Sequence, residues 1–397
     1  MITVEEAHRI VLSNCSVASI VLENINDVQG YNLAEDIYAD RNFPPFDRVT
    51  MDGIAIRFED YSKGIRTFKI NGIAAAGSEQ ISIHKSGECV EAMTGAMLPE
   101  NSDTVIRYED LEIEGNKVTI IAERVTHGQN IHREGEDRKK GDLILRKGKR
   151  IEAPELGVLA TVGKNMVKIY QRPKIAIISS GDELVNVDTK PEPHQIRKSN
   201  NYSIQGALTQ FNCEIDQFHL LDDPDEITNK IRGILNEYDV LILSGGVSKG
   251  KFDYIPEALM QLDVKKLFHR VKQRPGKPFW FGKSKEGKTV FALPGNPVSS
   301  FMCTHKYVLS WMRWHLGLTE PTIYAELASD INFKPNLTYY AQVKLTYSKT
   351  SKILAHPIEG NGSGDLANLT DADAFMELPM GKEIYKAGEV YEVIRFR

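Results

Sequence analysis

Four apolar runs frame the middle of this chain: 174–179, 214–220, 239–243 and 289–293. Each is short and rich in Ile, Val, Leu or Phe. Runs of this length and composition predict strands covered on both faces, as in a parallel sheet. Helical patterns at 203–210, 225–237, 254–261 and 297–316 alternate with them. Parallel neighbours need a crossover, so the alternation predicts a mostly parallel α/β domain over 173–320.

The flanks read differently. Residues 3–24 predict a helix, with Thr3 and Glu6 spaced as a capping box and Ala7, Ile10, Val11 and Cys15 at helical spacing. A short extended piece follows at 33–40. The run Asn42-Phe43-Pro44-Pro45-Phe46-Asp47 cannot be helical and marks a boundary. From 46 to 140, alternation at 67–70 and 117–121 between glycine turns predicts a small β domain. A strand at 143–145 and a helix at 153–161 come next, with Pro154 in the first helical turn. Gln171-Arg172-Pro173 reads as a hinge. Beyond Pro321, alternation at 339–345 and 390–395 predicts a terminal β-barrel or sandwich.

Composition narrows the class. A chain of 397 residues calls for more than one domain, and 41% hydrophobic with 26% charged residues is ordinary for a globular protein. The net charge of −5, without a long basic block, argues against nucleic acid as partner. No apolar run approaches a membrane span, and the polar opening lacks the apolar core of a signal peptide. The expectation is a cytoplasmic protein with no membrane association. Cys15, Cys89, Cys213 and Cys303 lie far apart without a CxxC, which predicts reduced thiols.

The chemistry gathers where the strands end. After 239–243 come Ser244, Gly245 and Gly246, then Ser248, Gly250 and Asp253. Paired glycines let the backbone turn and leave no Cβ in a ligand's way. Freed N–H groups and serine hydroxyls suit phosphate oxygens, and an acid beyond them suits a cation. An ordinary strand-to-helix turn would carry the same glycines. Asp182 and Glu183 end a second strand, and Asp222 and Asp223 follow a third. In an open α/β sheet these ends share one crevice. Clustered carboxylates favour Mg²⁺ over zinc. Capping of the helix at 225–237 accounts for Asp222 equally well. Residues 270–277 hold four cations, Arg270, Lys272, Arg274 and Lys277. If extended, the first three share a face; such a run is either a solvated surface or an oxyanion site. Pro294-Gly295-Asn296-Pro297-Val298-Ser299 opens a helix whose amino end favours anions. The residues alone thus imply a small, multiply anionic, phosphate-bearing ligand and a divalent cation.

Eight segments in order resemble the MoeA family of molybdopterin molybdenumtransferases, which includes the E domain of gephyrin. They are FDRVTMDGIAIR (46–57), MTGAMLPENSDTVIRYED (93–110), REGED (133–137), SSGDEL (179–184), SNN (199–201), LSGGVSKGKFDY (243–254), RPGKP (274–278) and LPGNPVS (293–299). The resemblance implies four parts: an elongated domain from 1–45 with 141–172, an inserted β domain at 46–140, a MogA-like α/β domain at 173–320, and a C-terminal β-barrel at 321–397. It implies a Mg²⁺-dependent enzyme that takes adenylated molybdopterin and molybdate, and releases molybdenum cofactor and AMP. It implies a homodimer whose site is shared between subunits, with transient contacts to other enzymes of molybdenum-cofactor synthesis.

Carried over by motif, Asp52, Thr94, Asp137, Glu183, Asp222 and Asp253 are the catalytic positions, with Asp222 and Asp253 as metal ligands. Asn200, Ser244, Gly245, Gly246, Ser248 and Gly250 belong to ligand binding. So do Arg270, Arg274 and Lys277, with the loop from Pro294 through Gly295, Asn296 and Pro297 to Ser299, and Ser363. Arg270 and Arg274 stand where the family often has lysine, Ile54 where tyrosine is common, and Ser180 where threonine is common. No long linker or partner domain supports a purely scaffolding role, and the inserted and terminal domains argue against an adenylyltransferase.

Overall fold

In a computed structural model, the described residues are 1–247, 254–319, 322–349, 351–360 and 362–397. They form two compact units. One comprises Asp36–Arg146 with Ala153–Asn165, the other Met1–Glu35, Lys147–Glu152 and Met166–Arg397.

The smaller unit holds a six-stranded sheet. Its spatial order is Thr104–Arg107, Gly53–Ile56, Glu88–Ala92, Thr67–Ala74, Lys117–Ile120 and Leu111–Glu114. Alternate residues of Gly53–Ile56 feed separate cores. Ala55 packs with Val90 and Val105, while Ile54 and Ile56 pack with Phe68 and Ile106. The helix Ala153–Thr161 belongs to this unit.

In the larger unit, helix α1 is Val4–Ser13, closed by the predicted capping box of Thr3 and Glu6. It ends eleven residues earlier than the pattern predicts. Asn14 caps it, and Ile20–Asn24 is instead a strand paired antiparallel with Met166–Tyr170. Ser13, Asn14 and Ser16 compete for backbone hydrogen bonds at the helix end, and Ile20-Val21-Leu22 favours extended backbone.

The α/β domain runs as β1 (Ile175–Ser180), α2 (Asn200–Leu208), β2 (Ile215–Leu220), α3 (Pro224–Glu237), β3 (Val240–Ser244) and α4 (Ile255–Gln261). It continues as β4 (Lys265–His269), β5 (Gln273–Arg274), β6 (Trp280–Lys283), β7 (Thr289–Leu293), α5 (Pro297–Cys303) and α6 (Leu309–His315). The sheet order is β2-β1-β3-β7-β6-β4. The first four strands are parallel; β6 and β4 are antiparallel. Strands β1, β3 and β7 are wholly buried, as continuous apolar runs require. Ile177, Ile242 and Phe291 face one core with Ile204, Met302 and Trp311. Ile178, Leu241, Leu243 and Val290 face the other, with Ile227, Ile231 and Leu259. Each such side chain contributes roughly 1.5–3 kcal/mol. The long helix predicted at 297–316 holds a π-helical turn, Thr304–Val308, between α5 and α6.

Strands β8 (Ile323–Leu327), β9 (Thr338–Tyr347), β10 (Ile353–Pro357), β11 (Ala374–Leu378) and β12 (Val390–Arg395) close into a five-stranded barrel, because β9 pairs with both β10 and β11. Strand β5 adds to its β9 in parallel. Among the described residues, no helix is long and apolar enough to cross a membrane. All four cysteines are free, with Cys89 and Cys303 buried.

Candidate active site

The carboxyl ends of β1, β3 and β7 open on a cavity of about 930 Å³. Register places Ser244 of β3 beside Ser179 of β1 and Leu293 of β7, so their loops leave at one level. Those loops touch backbone to backbone. Gly245 has φ +101°, and a Cβ there would lie 2.8 Å from the Ser180 carbonyl oxygen. A Cβ on Gly295 would meet Gly245 Cα at 3.5 Å. The first position therefore requires glycine.

Asn200, at the start of α2, joins two of these loops. Its Nδ2 donates to Ser244 Oγ at 2.8 Å and to the Gly295 carbonyl at 2.7 Å. Its Oδ1 is buried with no partner among the described residues, and so is that of Asn201, which is 2% exposed. Both residues line the cavity.

The two adjacent aspartates after β2 divide the roles that the sequence leaves open. Asp223 caps α3, accepting from Glu226 N at 2.8 Å with Pro224 in the first turn. Asp222 lines the cavity beside Glu183, and its Oδ1 accepts from Ser180 Oγ at 3.3 Å. Asp182 does not line the cavity. It holds the backbone instead, accepting from Asp222 N at 3.0 Å.

Part of the lining is basic and comes from β5 and the loop after it. Arg274 and Lys277 form this part, and no carboxylate among the described residues pairs with either. Gln273 moors them. It is fully buried, donates to the Gly276 carbonyl at 3.0 Å, and accepts from Tyr307 Oη at 2.5 Å. Ser363 closes the rim: its Oγ accepts from Asn296 Nδ2 at 2.8 Å and its carbonyl from Val298 N at 3.0 Å. Gly246, Pro294, Pro297 and Ser299 complete the predicted positions found here.

Arg270 does not line this cavity. The expected extended run fails because Arg270 turns the chain at φ +75°, so Arg270, Lys272 and Arg274 share no strand face. Its backbone pairs with Ile2 and Phe279. Ser248, Gly250 and Asp253 lie outside the described residues.

Asp52, Thr94 and Asp137 belong to the smaller unit. Thr94 donates to Asp52 Oδ1 through Oγ1 at 2.6 Å and through its backbone N at 2.7 Å. These bonds, the side-chain one foremost, hold the Asp52 carboxyl below the usual carboxylate range. Asp137 Oδ1 is 3.0 Å from His132 Nε2, whose Nδ1 is 3.1 Å from Arg48 Nη2. Arginine only donates, so Nδ1 accepts and Nε2–H donates to Asp137.

The cavity also contains residues that sequence reasoning passed over: Arg197, Lys198, Asn201, Tyr339 and Gln342. Asn201 and Lys198 adjoin the Ser199-Asn200 pair, which was the available signal. Tyr339 and Gln342 come from a barrel strand whose alternation says nothing of what it faces. Among the described residues, Arg197, Lys198, Arg274 and Lys277 outnumber Glu183 and Asp222. The cavity is built for an anion.

Comparison with known proteins agrees with this geometry. Residues 2–163 match the MoeA N-terminal region (domain I and II), 176–314 a probable molybdopterin binding domain, and 324–396 the MoeA C-terminal region (domain IV). The chain belongs to the MoeA family. A Synechocystis relative named molybdopterin molybdenumtransferase is 41% identical over 394 residues, covering 98% of this chain and 99% of its own. A Bacillus subtilis relative of the same name is 32% identical over 92% of this chain and 87% of its own. A molybdopterin biosynthesis MoeA structure from Pyrococcus horikoshii superposes with a TM-score of 0.85 at 31% identity, covering 100% of this chain and 99% of that one. A second from the same organism gives 0.81 at 27% identity, with 100% of each chain covered. MoeA membership sets the chain among the transferases of molybdenum-cofactor biosynthesis.

Proposed function

We propose that this protein inserts molybdenum from molybdate into adenylated molybdopterin, yielding molybdenum cofactor and AMP. The observation that carries the reading is a single cavity whose lining holds both carboxylates and cations. Asp222 and Glu183 are the carboxylates, and Arg274 and Lys277 are cations that no carboxylate among the described residues pairs with. The carboxylates suit a metal-bridged phosphate, the cations a tetrahedral dianion.

Mg²⁺ fits the donor set. It binds through one or two carboxylates plus substrate phosphates and keeps several waters. Asp222 offers an oxygen at the cavity wall, and no set of three His, Cys, Asp or Glu ligands is assembled among the described residues. Asp222, with Asp253, would hold the ion. Bound there, it supplies charge neutralisation for the transferring phosphoryl group. Ser180 Oγ and the Asp182–Asp222 backbone bond fix the Asp222 carboxylate. Gly245 and Gly246 let the loop approach the substrate, and Ser244 and Asn200 set its shape. Arg274 and Lys277 concentrate molybdate, which is substrate. In the cleavage step a water oxygen bonds to the molybdopterin phosphorus, the bond from that phosphorus to the bridging oxygen breaks, and that oxygen leaves with its electron pair as part of AMP while the water's proton passes to solvent. Asp52, Thr94 and Asp137 would act on the site of the other subunit in a homodimer. The four-part division of the chain belongs to the same proposal, as does cytoplasmic location.

The test is a defined mixture of purified protein, Mg²⁺, molybdate and adenylated molybdopterin. AMP release with cofactor able to activate a molybdenum-free apoenzyme is expected. Adenylate that stays intact refutes the reading.

A further inference from the structure

Lys198 belongs to none of the motifs that carry the resemblance. It stands where a short ladder, Leu184–Val185 beside Ile196–Arg197, hands the chain to α2. Its backbone N donates to the Val185 carbonyl at 3.0 Å, so the residue is pinned by the main chain. Its side chain lines the cavity with Asp222 and Glu183. Nζ donates to Asn186 Oδ1 at 2.9 Å, a neutral partner. An ammonium has three donors, and two are left. No carboxylate among the described residues pairs with it. Lys198 is also close enough to His219, at the end of β2, to help lower its pKa, second to burial.

The wall beside Lys198 is shaped for a ligand as well. Ser199, the N-cap of α2, makes no side-chain capping bond. The first N–H groups of that nine-residue helix therefore lack the usual acceptor. In the same turn Asn201 Oδ1 is buried without a partner. A buried acceptor left open is costly unless a bound group supplies the donor.

We propose that Lys198, with the uncapped amino end of α2, seats the phosphate of the substrate, while Arg274 and Lys277 take the metal oxyanion across the cavity. The cavity then keeps its two anions apart by giving each its own cation. Asn201 Oδ1 accepts from an N–H of the heterocycle attached to that phosphate. Lys198 is in this sense a binding residue that sorts the ligands, and the inference rests on the molybdenum-insertion reading above.

The test uses the full chain with AMP and molybdate as separate probes in titration calorimetry, alongside turnover. Lys198→Met is expected to weaken AMP by about tenfold or more, the loss of one charge-assisted contact, and to leave molybdate within about twofold. KM for adenylated molybdopterin rises more than kcat falls. Lys198→Arg restores most of the AMP affinity, and unchanged thermal melting of both variants shows that they fold. Unchanged AMP affinity in Lys198→Met, a loss of molybdate affinity instead, or a wild type that turns over but does not bind AMP overturns the proposal. Wild-type protein that leaves the adenylate intact fails the broader reading instead.

Discussion

Asn200 offers a sharp test of how the site is held. Its amide nitrogen donates to Ser244 Oγ and to the Gly295 carbonyl, joining the ends of β3 and β7. Asn200→Ala removes both bonds. At about 0.5–1.5 kcal/mol net for each, the loss is about 1–3 kcal/mol. Asn200→Asp keeps the shape but turns the donor into an acceptor. A carboxylate oxygen then faces the Gly295 carbonyl oxygen in a half-buried position, which adds at least about 1 kcal/mol. The nearly isosteric change is thus expected to be worse than truncation. All three tryptophans, Trp280, Trp311 and Trp314, lie in the α/β domain, so tryptophan fluorescence in urea follows its unfolding. With a slope near 2 kcal/mol per molar, the midpoint should fall by roughly 0.5–1.5 M for Asn200→Ala and further for Asn200→Asp. An Asn200→Asp midpoint at or above that of Asn200→Ala would refute the assignment of both bonds to the amide nitrogen.

Three other expectations follow from neighbouring features. Asp223→Ala should cost about 1 kcal/mol by uncapping α3 and leave AMP release intact, whereas Asp222→Ala should abolish AMP release without moving the thermal melt. Gly245→Ala forces a side chain into positive φ against the Ser180 carbonyl, so it should lower stability by about 1–3 kcal/mol and also impair turnover; normal turnover would show that the loops need no such close approach. Burial lowers the His305 pKa from 6.5 to about 4, so the unfolded chain takes up its proton first. Its contribution is complete above pH 6.5 and is lost as pH falls toward 4, by as much as about 3 kcal/mol. His305→Gln should flatten that part of a urea-midpoint-versus-pH curve, and an unaltered slope would assign the acid sensitivity to other groups.

Much of this was legible in the residues because the two periods, 2 and 3.6, leave plain marks. The buried strands β1, β3 and β7 fell where continuous apolar runs stood, and the glycine turns fell at their ends. The start of α1 was written in Thr3 and Glu6, but its end was not, since Ile20-Val21-Leu22 suits helix and strand alike until a partner strand decides. Local sequence could not say which of Asp222 and Asp223 capped the helix. That choice depends on one residue of register at Pro224. Arg270 looked equivalent to Arg274, yet its left-handed backbone is set by distant pairing with Ile2 and Phe279. Lys198 escaped notice although it adjoins Ser199 and Asn200, because adjacency in sequence does not show which residues border the cavity.

The two-residue strand β5 has a consequence for the architecture of the chain. Gln273 and Arg274 leave the α/β layer and run alongside Thr338 and Tyr339 of β9 as an added stave of the barrel. The terminal module is therefore no detachable tail. Cutting the chain near residue 322 would strip that scaffolding from Arg274 and take Ser363 away from Asn296 and Val298, while sparing the glycine turns that follow β1, β3 and β7.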